Sequence, residues 1–151
     1  MNPLMRFGAW LLLKRPAHKK SLAALADSCE RHGQRLTADL ANRADTDANC
    51  QQLSHIMGIE RWGQSRLRVA LGEPLKQDEY DGYRPDPATP WADLVASFNQ
   101  VRAETVDLAR RIEAAGAADT PILHNQFGDL DPRAWLFYLT YHADQEAKRL
   151  K

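Results

Sequence analysis

The stretch His124-Asn125-Gln126-Phe127-Gly128-Asp129-Leu130-Asp131-Pro132-Arg133-Ala134-Trp135 begins as a turn and becomes a helix, and it continues through Tyr141-His142-Ala143-Asp144-Gln145-Glu146. Asp131 before Pro132 is an N-cap signal. The carboxylate accepts an orphan backbone N–H, and proline at the first helical position loses no hydrogen bond because its donor had no partner there. From Pro132 the spacing predicts a helix to the end of the chain. Trp135, Leu139, His142 and Glu146 recur at intervals of four, three and four, so they share one face, the apolar inward one. An unpaired carboxylate is costly to bury, so Glu146 needs a proton, a cation, a metal or water beside it, or an escape into solvent where the helix frays near the C-terminus.

Outward from this segment the chain reads as further helices. Thr89-Pro90 repeats the cap-plus-proline signal, and Leu94, Phe98, Val101, Thr105, Leu108 and Ile112 follow a heptad that Gly116 and Pro121 bring to an end. Upstream, Asp45, Thr46 and Asp47 start a helix with a wide apolar stripe through Leu53, Ile56, Ile59, Trp62 and Leu67, ended by Gly72 and Pro74. His55 shares that stripe with Ile59 and Trp62 and faces inward. A lone inward histidine is more often a hydrogen-bonded core residue than a ligand, so its meaning depends on a second ligand meeting it. A first helix spans about 17–42 on Leu22, Leu25, Cys29, Leu36 and Leu40, with His18 and His32 on its solvent side. Residues 75–89 carry two prolines, Asp81-Gly82, Tyr80, Tyr83 and Arg84 with little periodicity, a connection longer than bundle helices usually need. Its tyrosines and Arg84 either roof a pocket or anchor the loop, and anchoring is expected. No strand alternation of useful length, glycine-rich phosphate loop or internal repeat is present. The expectation is all-α: four long amphipathic helices with a long second connection.

The 151 residues are 44% hydrophobic, enough for a single domain (1–151) with a real core. Twenty basic and twenty acidic side chains cancel, which leaves no electrostatic footprint for nucleic acid. Arg6, Lys14, Arg15, Lys19 and Lys20 form only a local basic patch. The apolar run Phe7-Gly8-Ala9-Trp10-Leu11-Leu12-Leu13 falls far short of the roughly 20 residues that cross a membrane. Without a small-residue cleavage site it is not a signal peptide either. Residues 1–16 read as an N-terminal arm packed on the domain or on a partner subunit. Cys29 and Cys50, on antiparallel helices joined near Ala44, fall roughly 13 Å apart along the axis at about 1.5 Å per residue. A disulfide needs Cα atoms within about 7 Å, so free thiols and a cytoplasmic protein are expected.

Bundle cores hold metals by projecting ligands inward from facing helices. His142 and Glu146, at i and i+4, supply half of such a site, and His55, at a similar depth on the second helix, supplies the other half. Leu53-Ser54-His55-Ile56-Met57-Gly58-Ile59-Glu60, the His124-x-x-Phe127-Gly128-x-Leu130-x-x-x-x-Trp135 segment and Tyr141-His142 followed by Gln145-Glu146 resemble the DinB-like (YfiT-like) metalloenzymes. The resemblance implies a four-helix bundle of up-down-down-up connectivity, often a homodimer. It implies a divalent metal held by one histidine of the second helix and two of an HxxxH motif on the last. Members of known activity include thiol-dependent transferases, an isomerase and hydrolases. Where that family commonly shows His-x-x-His-His, this chain has His142-Ala143-Asp144-Gln145-Glu146, which puts a carboxylate at the third ligand position.

Two histidines and a carboxylate remain a legitimate set for zinc or for non-haem iron, and the family analogy adds nickel. His124 is the candidate for a supporting or acid–base role at the site, with capping of the preceding turn as the alternative, and the capping is favoured. Glu60 falls off the ligand face. Two functions stay open: a metal-dependent transferase or hydrolase acting on a small molecule through His55, His142 and Glu146, and a metal-free bundle serving as a binding or assembly module through its arm. Direct action on DNA is opposed by the neutral charge.

Overall fold

A computed structural model describes residue 8 and residues 10–151. Four long helices dominate it: α1 (Leu22–Leu40), α2 (Asp47–Leu67), α3 (Trp91–Ala114) and α4 (Pro132–Ala147). Side-chain caps start three of them. Ser21 accepts from the Ala24 amide at 3.1 Å, Thr46 from Asn49 at 3.2 Å and Asp131 from Ala134 at 3.0 Å. Pro132 occupies the first turn of α4, as its sequence signal demands. At α3 the signal misleads by one residue. Pro90 itself, in extended backbone, is the cap residue and no side chain caps the helix, so Thr89 lies outside it.

Helix α1 begins later than the periodicity predicts, because Ala17 ends a separate turn, Arg15–Ala17, and Ser21 restarts the chain. Helix α2 tightens into a 3₁₀ turn, Arg68–Leu71, and Gly72 closes it at φ 94°, a left-handed conformation that favours glycine. Between α3 and α4 stands an antiparallel hairpin that periodicity does not reveal: β1 (Ile122–His124) pairs with β2 (Gly128–Leu130), Ile122 opposite Leu130 and His124 opposite Gly128. Strands of three residues are too short to show alternation. Ile122 and Leu130 point into the core, and the Trp135 indole donates to the Ile122 carbonyl at 3.2 Å, which fastens the hairpin to α4.

Helices α3 and α4 each pack on both α1 and α2. The core has two apolar clusters, one around Trp62, Leu67, Ile112 and Trp135, the other around Leu40, Leu53, Ile56 and Phe98. At the level along the helices between them lies a buried polar layer. Arg102 donates to Glu60 at 2.7 Å and to the Cys29 sulfur at 2.9 Å, and Thr105 donates to the other Glu60 oxygen at 2.8 Å. Gly33 makes room for this arginine, since a Cβ there meets Arg102 Cγ at 2.4 Å.

Both cysteines are free thiols, Cys29 buried and Cys50 half-buried. His18 is exposed as expected, and its Nε2 lies 2.5 Å from the Asp131 cap. His32 is a correction: its side chain is only 12% exposed, facing Asp144 of α4 at 3.6 Å, because α4 packs across that side of α1. The described part of the arm, a π-helical turn Trp10–Lys14 followed by Arg15–Ala17, packs against α4 with Leu13 and Ala17 buried. Residues 1–7 and 9, with Arg6 of the basic patch, lie outside the described residues. No described helix is long and apolar enough to cross a membrane.

Candidate metal centre

Helix α2 presents His55 and helix α4 presents His142 and Glu146 to the same point. One potential ligand atom from each lies within 4.8 Å of the other two, and all three residues are half-buried. The two imidazole rings sit edge to face with centroids 5.2 Å apart. The i, i+4 spacing on α4 stacks its two donors on one face, and α2 lies across that face.

The sequence leaves Glu146 with an unnamed partner, and the structure supplies two. Gln52, one turn before His55 on α2, donates to Glu146 Oε2 at 2.8 Å, and Arg149 Nη1 lies 2.9 Å from the same oxygen. The carboxylate is therefore neither frayed into water nor alone. Its Oε2 is held by both partners, which fixes the orientation of the carboxylate.

Burial, and then the proximity of His55, pushes the His142 pKa down to about 4. Burial and the Arg84 guanidinium lower that of His55. Both rings are thus neutral near pH 7, the form in which imidazole ligates a metal. At metal–ligand bonds of about 2.0–2.2 Å, two donors on one ion stand up to about 4 Å apart, so modest side-chain rotation brings this cluster to bonding range. Two neutral imidazoles, an oriented carboxylate and this spacing fit a divalent cation.

The 75–89 connection does roof the cluster, where anchoring alone was expected. Its 3₁₀ turn Tyr80–Tyr83 packs on α2, the Tyr80 ring stands edge-on to His55 at 5.2 Å, and Arg84 Nη2 donates to His55 Nδ1 at 3.3 Å. Anchoring holds too. Asp78 receives the Trp62 indole at 3.2 Å, Arg66 at 3.1 Å and the Tyr83 hydroxyl at 2.6 Å. Tyr80 and Arg84 were legible only as residues able to roof a pocket, with no periodic signal to say which, and Gln52 is an unremarkable polar position in α2 that the sequence does not single out.

On its other side the cluster borders a cavity of about 240 Å³ lined by Leu12, Leu13, Phe127, Tyr138 and Tyr141 beside His142 and Glu146. Burial, with Tyr80 and Glu146 nearby, pushes the Tyr138 pKa up to about 12, so its phenol stays a proton donor.

His124 does not join the three-donor cluster. It is buried at the hairpin, where Nδ1 accepts the Gln126 and Phe127 amides at 3.1 and 3.3 Å, and aromatic rings of Trp62, Phe127, Trp135 and Tyr138 surround it. Its Nε2 is buried without a partner. Turn capping is thus its visible role, and Tyr138, packed against both His124 and His142, is its link to the cluster. Glu60 is elsewhere, held by Arg102.

A mostly helical protein whose second and last long helices converge two histidines and a glutamate belongs to the class of helical folds with a candidate metal centre between helices. The chain belongs to the DinB superfamily, whose family model matches residues 34–145, a span that contains all three residues of the cluster. No curated protein and no solved structure matches it significantly.

Proposed function

We propose that this chain is a single-domain, metal-dependent member of the DinB superfamily that holds a divalent cation, zinc, nickel or iron, on His55, His142 and Glu146. The observation that carries the reading is the convergence of those three donors within 4.8 Å, from two helices far apart in sequence. A cation bound there supplies Lewis acidity toward a substrate oxygen. Gln52 and Arg149 hold the Glu146 carboxylate in place, Tyr138 offers a phenolic proton at the cavity wall, and Leu13 and Phe127 make its apolar lining. The small, largely apolar cavity favours a small molecule with an apolar body, worked on by transfer or hydrolysis. His124 takes the positioning part, keeping Phe127 and Tyr138 in that wall.

The up-down-down-up connectivity belongs to the same reading. Leu53, Ile56 and Met57 share one core cluster with Leu94 and Phe98, and Ile59, Trp62 and Leu67 share the other with Val106, Ala109 and Ile112, so α2 and α3 advance together, which supports parallel helices. Gln52 with Glu146 and Trp62 with Trp135 advance in opposite senses along α2 and α4.

The test is metal analysis of protein purified without a histidine tag. A stoichiometric metal that disappears in His142→Ala and Glu146→Ala supports the proposal. No metal after incubation with zinc, nickel, iron and manganese overturns it and leaves the assembly-module reading, favoured by the exposed Leu11, Leu12 and Tyr141 beside the arm.

A further inference from the structure

The guanidinium of Arg84 and a metal ion make the same demand on His55. Arginine has only donors, so at the 3.3 Å contact His55 Nδ1 is the acceptor, and a neutral imidazole has one nitrogen with a free lone pair. If a cation takes Nδ1, it displaces Arg84 directly. If it takes Nε2, the proton moves to Nδ1 and Arg84 faces a donor. The Arg84 bond and ligation by His55 are mutually exclusive on either nitrogen.

The surroundings of Arg84 are built for both positions. Its stem crosses α2 at Gly58, one turn after His55, where a Cβ meets Arg84 Cγ at 2.8 Å and the Tyr80 carbonyl at 3.1 Å. The guanidinium lies over the Tyr80 ring at 5.5 Å, and its Nε is 3.0 Å from Asp81. Arg84 also lines a cavity of about 550 Å³ that His55 does not line, together with Asp47, Asp81 and Asp86. These three carboxylates give the cation a destination when it leaves the histidine.

We infer that Arg84 is a latch on the metal centre: it occupies the His55 lone pair until a divalent cation arrives, then turns into the carboxylate-lined cavity beside it. The inference rests on the metal reading above and adds regulation to it. The latch sets a threshold, because loading the site costs the Arg84–His55 hydrogen bond. It also couples loading to the Tyr80–Tyr83 turn, through which the roof of the site registers the ion.

The test is calorimetric titration of the full chain with zinc alone, using wild type, Arg84→Met, Arg84→Gln and Gly58→Ala. Gly58→Ala keeps the positive charge but wedges the Arg84 stem off α2. Loss of one charge-assisted hydrogen bond predicts zinc binding about five- to tenfold tighter in Arg84→Met and in Gly58→Ala. The gain persists at high salt, where a long-range charge effect is screened. Circular dichroism checks that each variant is folded. Zinc binding by wild type and all folded variants with equal affinity, or weaker binding by Arg84→Met, overturns the latch and leaves the metal centre standing. A gain in the Arg84 variants that vanishes at high salt, with none in Gly58→Ala, overturns it in favour of simple charge repulsion. No binding by any of the four proteins overturns the metal reading and the latch with it.

Discussion

Gln52 donates to Glu146 Oε2 at 2.8 Å and to the Glu146 carbonyl at 3.2 Å, so one α2 side chain grips both the carboxylate and the backbone of α4 beside the candidate ligands. Groups that orient a ligand are worth about ten- to a hundredfold in metal affinity. Gln52→Ala is expected to weaken zinc binding by about tenfold while the protein stays folded, and Gln52→Glu to weaken it as well by setting two carboxylates against each other. Calorimetry with zinc gives the numbers. An unchanged dissociation constant in both variants means that Gln52 orients nothing that matters to the ion.

The buried pair of Glu60 and Arg102 makes a separate prediction about stability. Both side chains are almost fully buried, and their contact at 2.7 Å is supplemented by Thr105 and Cys29. Removing one partner strands a charge in the core, a loss of about 3–5 kcal/mol. Arg102→Met alone is therefore expected to lower stability by that amount in urea unfolding. Glu60→Leu with Arg102→Met together is expected to recover most of it, because an apolar pair of similar volume carries no desolvation cost. Additive losses in the double variant contradict this account of the layer.

Most of the helical frame was legible in the sequence because capping and periodicity are local. Asp131-Pro132 announces α4, Thr46 starts α2, and the intervals among Trp135, Leu139, His142 and Glu146 place a histidine and a carboxylate on one face. His55 was legible as inward-facing, and only the fold brings it to His142. What stayed hidden depends on partners distant in sequence. Glu60 is intelligible only beside Arg102, His32 is covered only because α4 lies across α1, and Arg84 reaches His55 from an aperiodic loop. The hairpin escaped because strands of three residues have no period to read. At Thr89-Pro90 a local rule failed outright, since Pro90 serves as its own extended cap.

Burial, and secondarily the Arg66 charge, pushes the His124 pKa from 6.5 down to about 4 in the folded protein. The unfolded chain binds the proton first as pH falls, so the stability carried by neutral His124 is complete above pH 6.5 and lost between there and about pH 4. The full loss is about 3 kcal/mol, of which about 2 kcal/mol falls between pH 7 and pH 5. Urea unfolding at those two pH values is expected to show a markedly smaller pH difference in His124→Gln than in wild type. His124→Gln is also less stable at pH 7, since the Gln126 and Phe127 amides lose their ring acceptor. Equal pH differences in the two proteins would falsify the assignment of this titration to His124.

Arg66 carries the last prediction, because it connects the loop that roofs the site to the hairpin turn. It is 1% exposed, its guanidinium stacks on Trp62 at 4.9 Å, and it donates to the carbonyls of Lys76 and Asp78 and to the Asn125 side chain. Asn125 in turn donates to the Asp78 carbonyl and to Glu79. The strand of chain that leads into Tyr80 and Arg84 is thus tied to α2 and to the hairpin turn through one buried cation. Arg66→Met keeps the apolar stem over Trp62 but leaves the Lys76 carbonyl without its side-chain donor and the Asp78 carbonyl with only Trp62 and Asn125, a cost of about 1–3 kcal/mol. The consequence is local as well as global. Trypsin is expected to cut after Lys76 several-fold faster in Arg66→Met than in wild type under native conditions, with other sites much less affected, because the loop opens without the domain unfolding. Cleavage that accelerates equally at all sites points to global destabilisation instead, and unchanged cleavage at Lys76 shows that Asn125 and Trp62 hold the loop without Arg66.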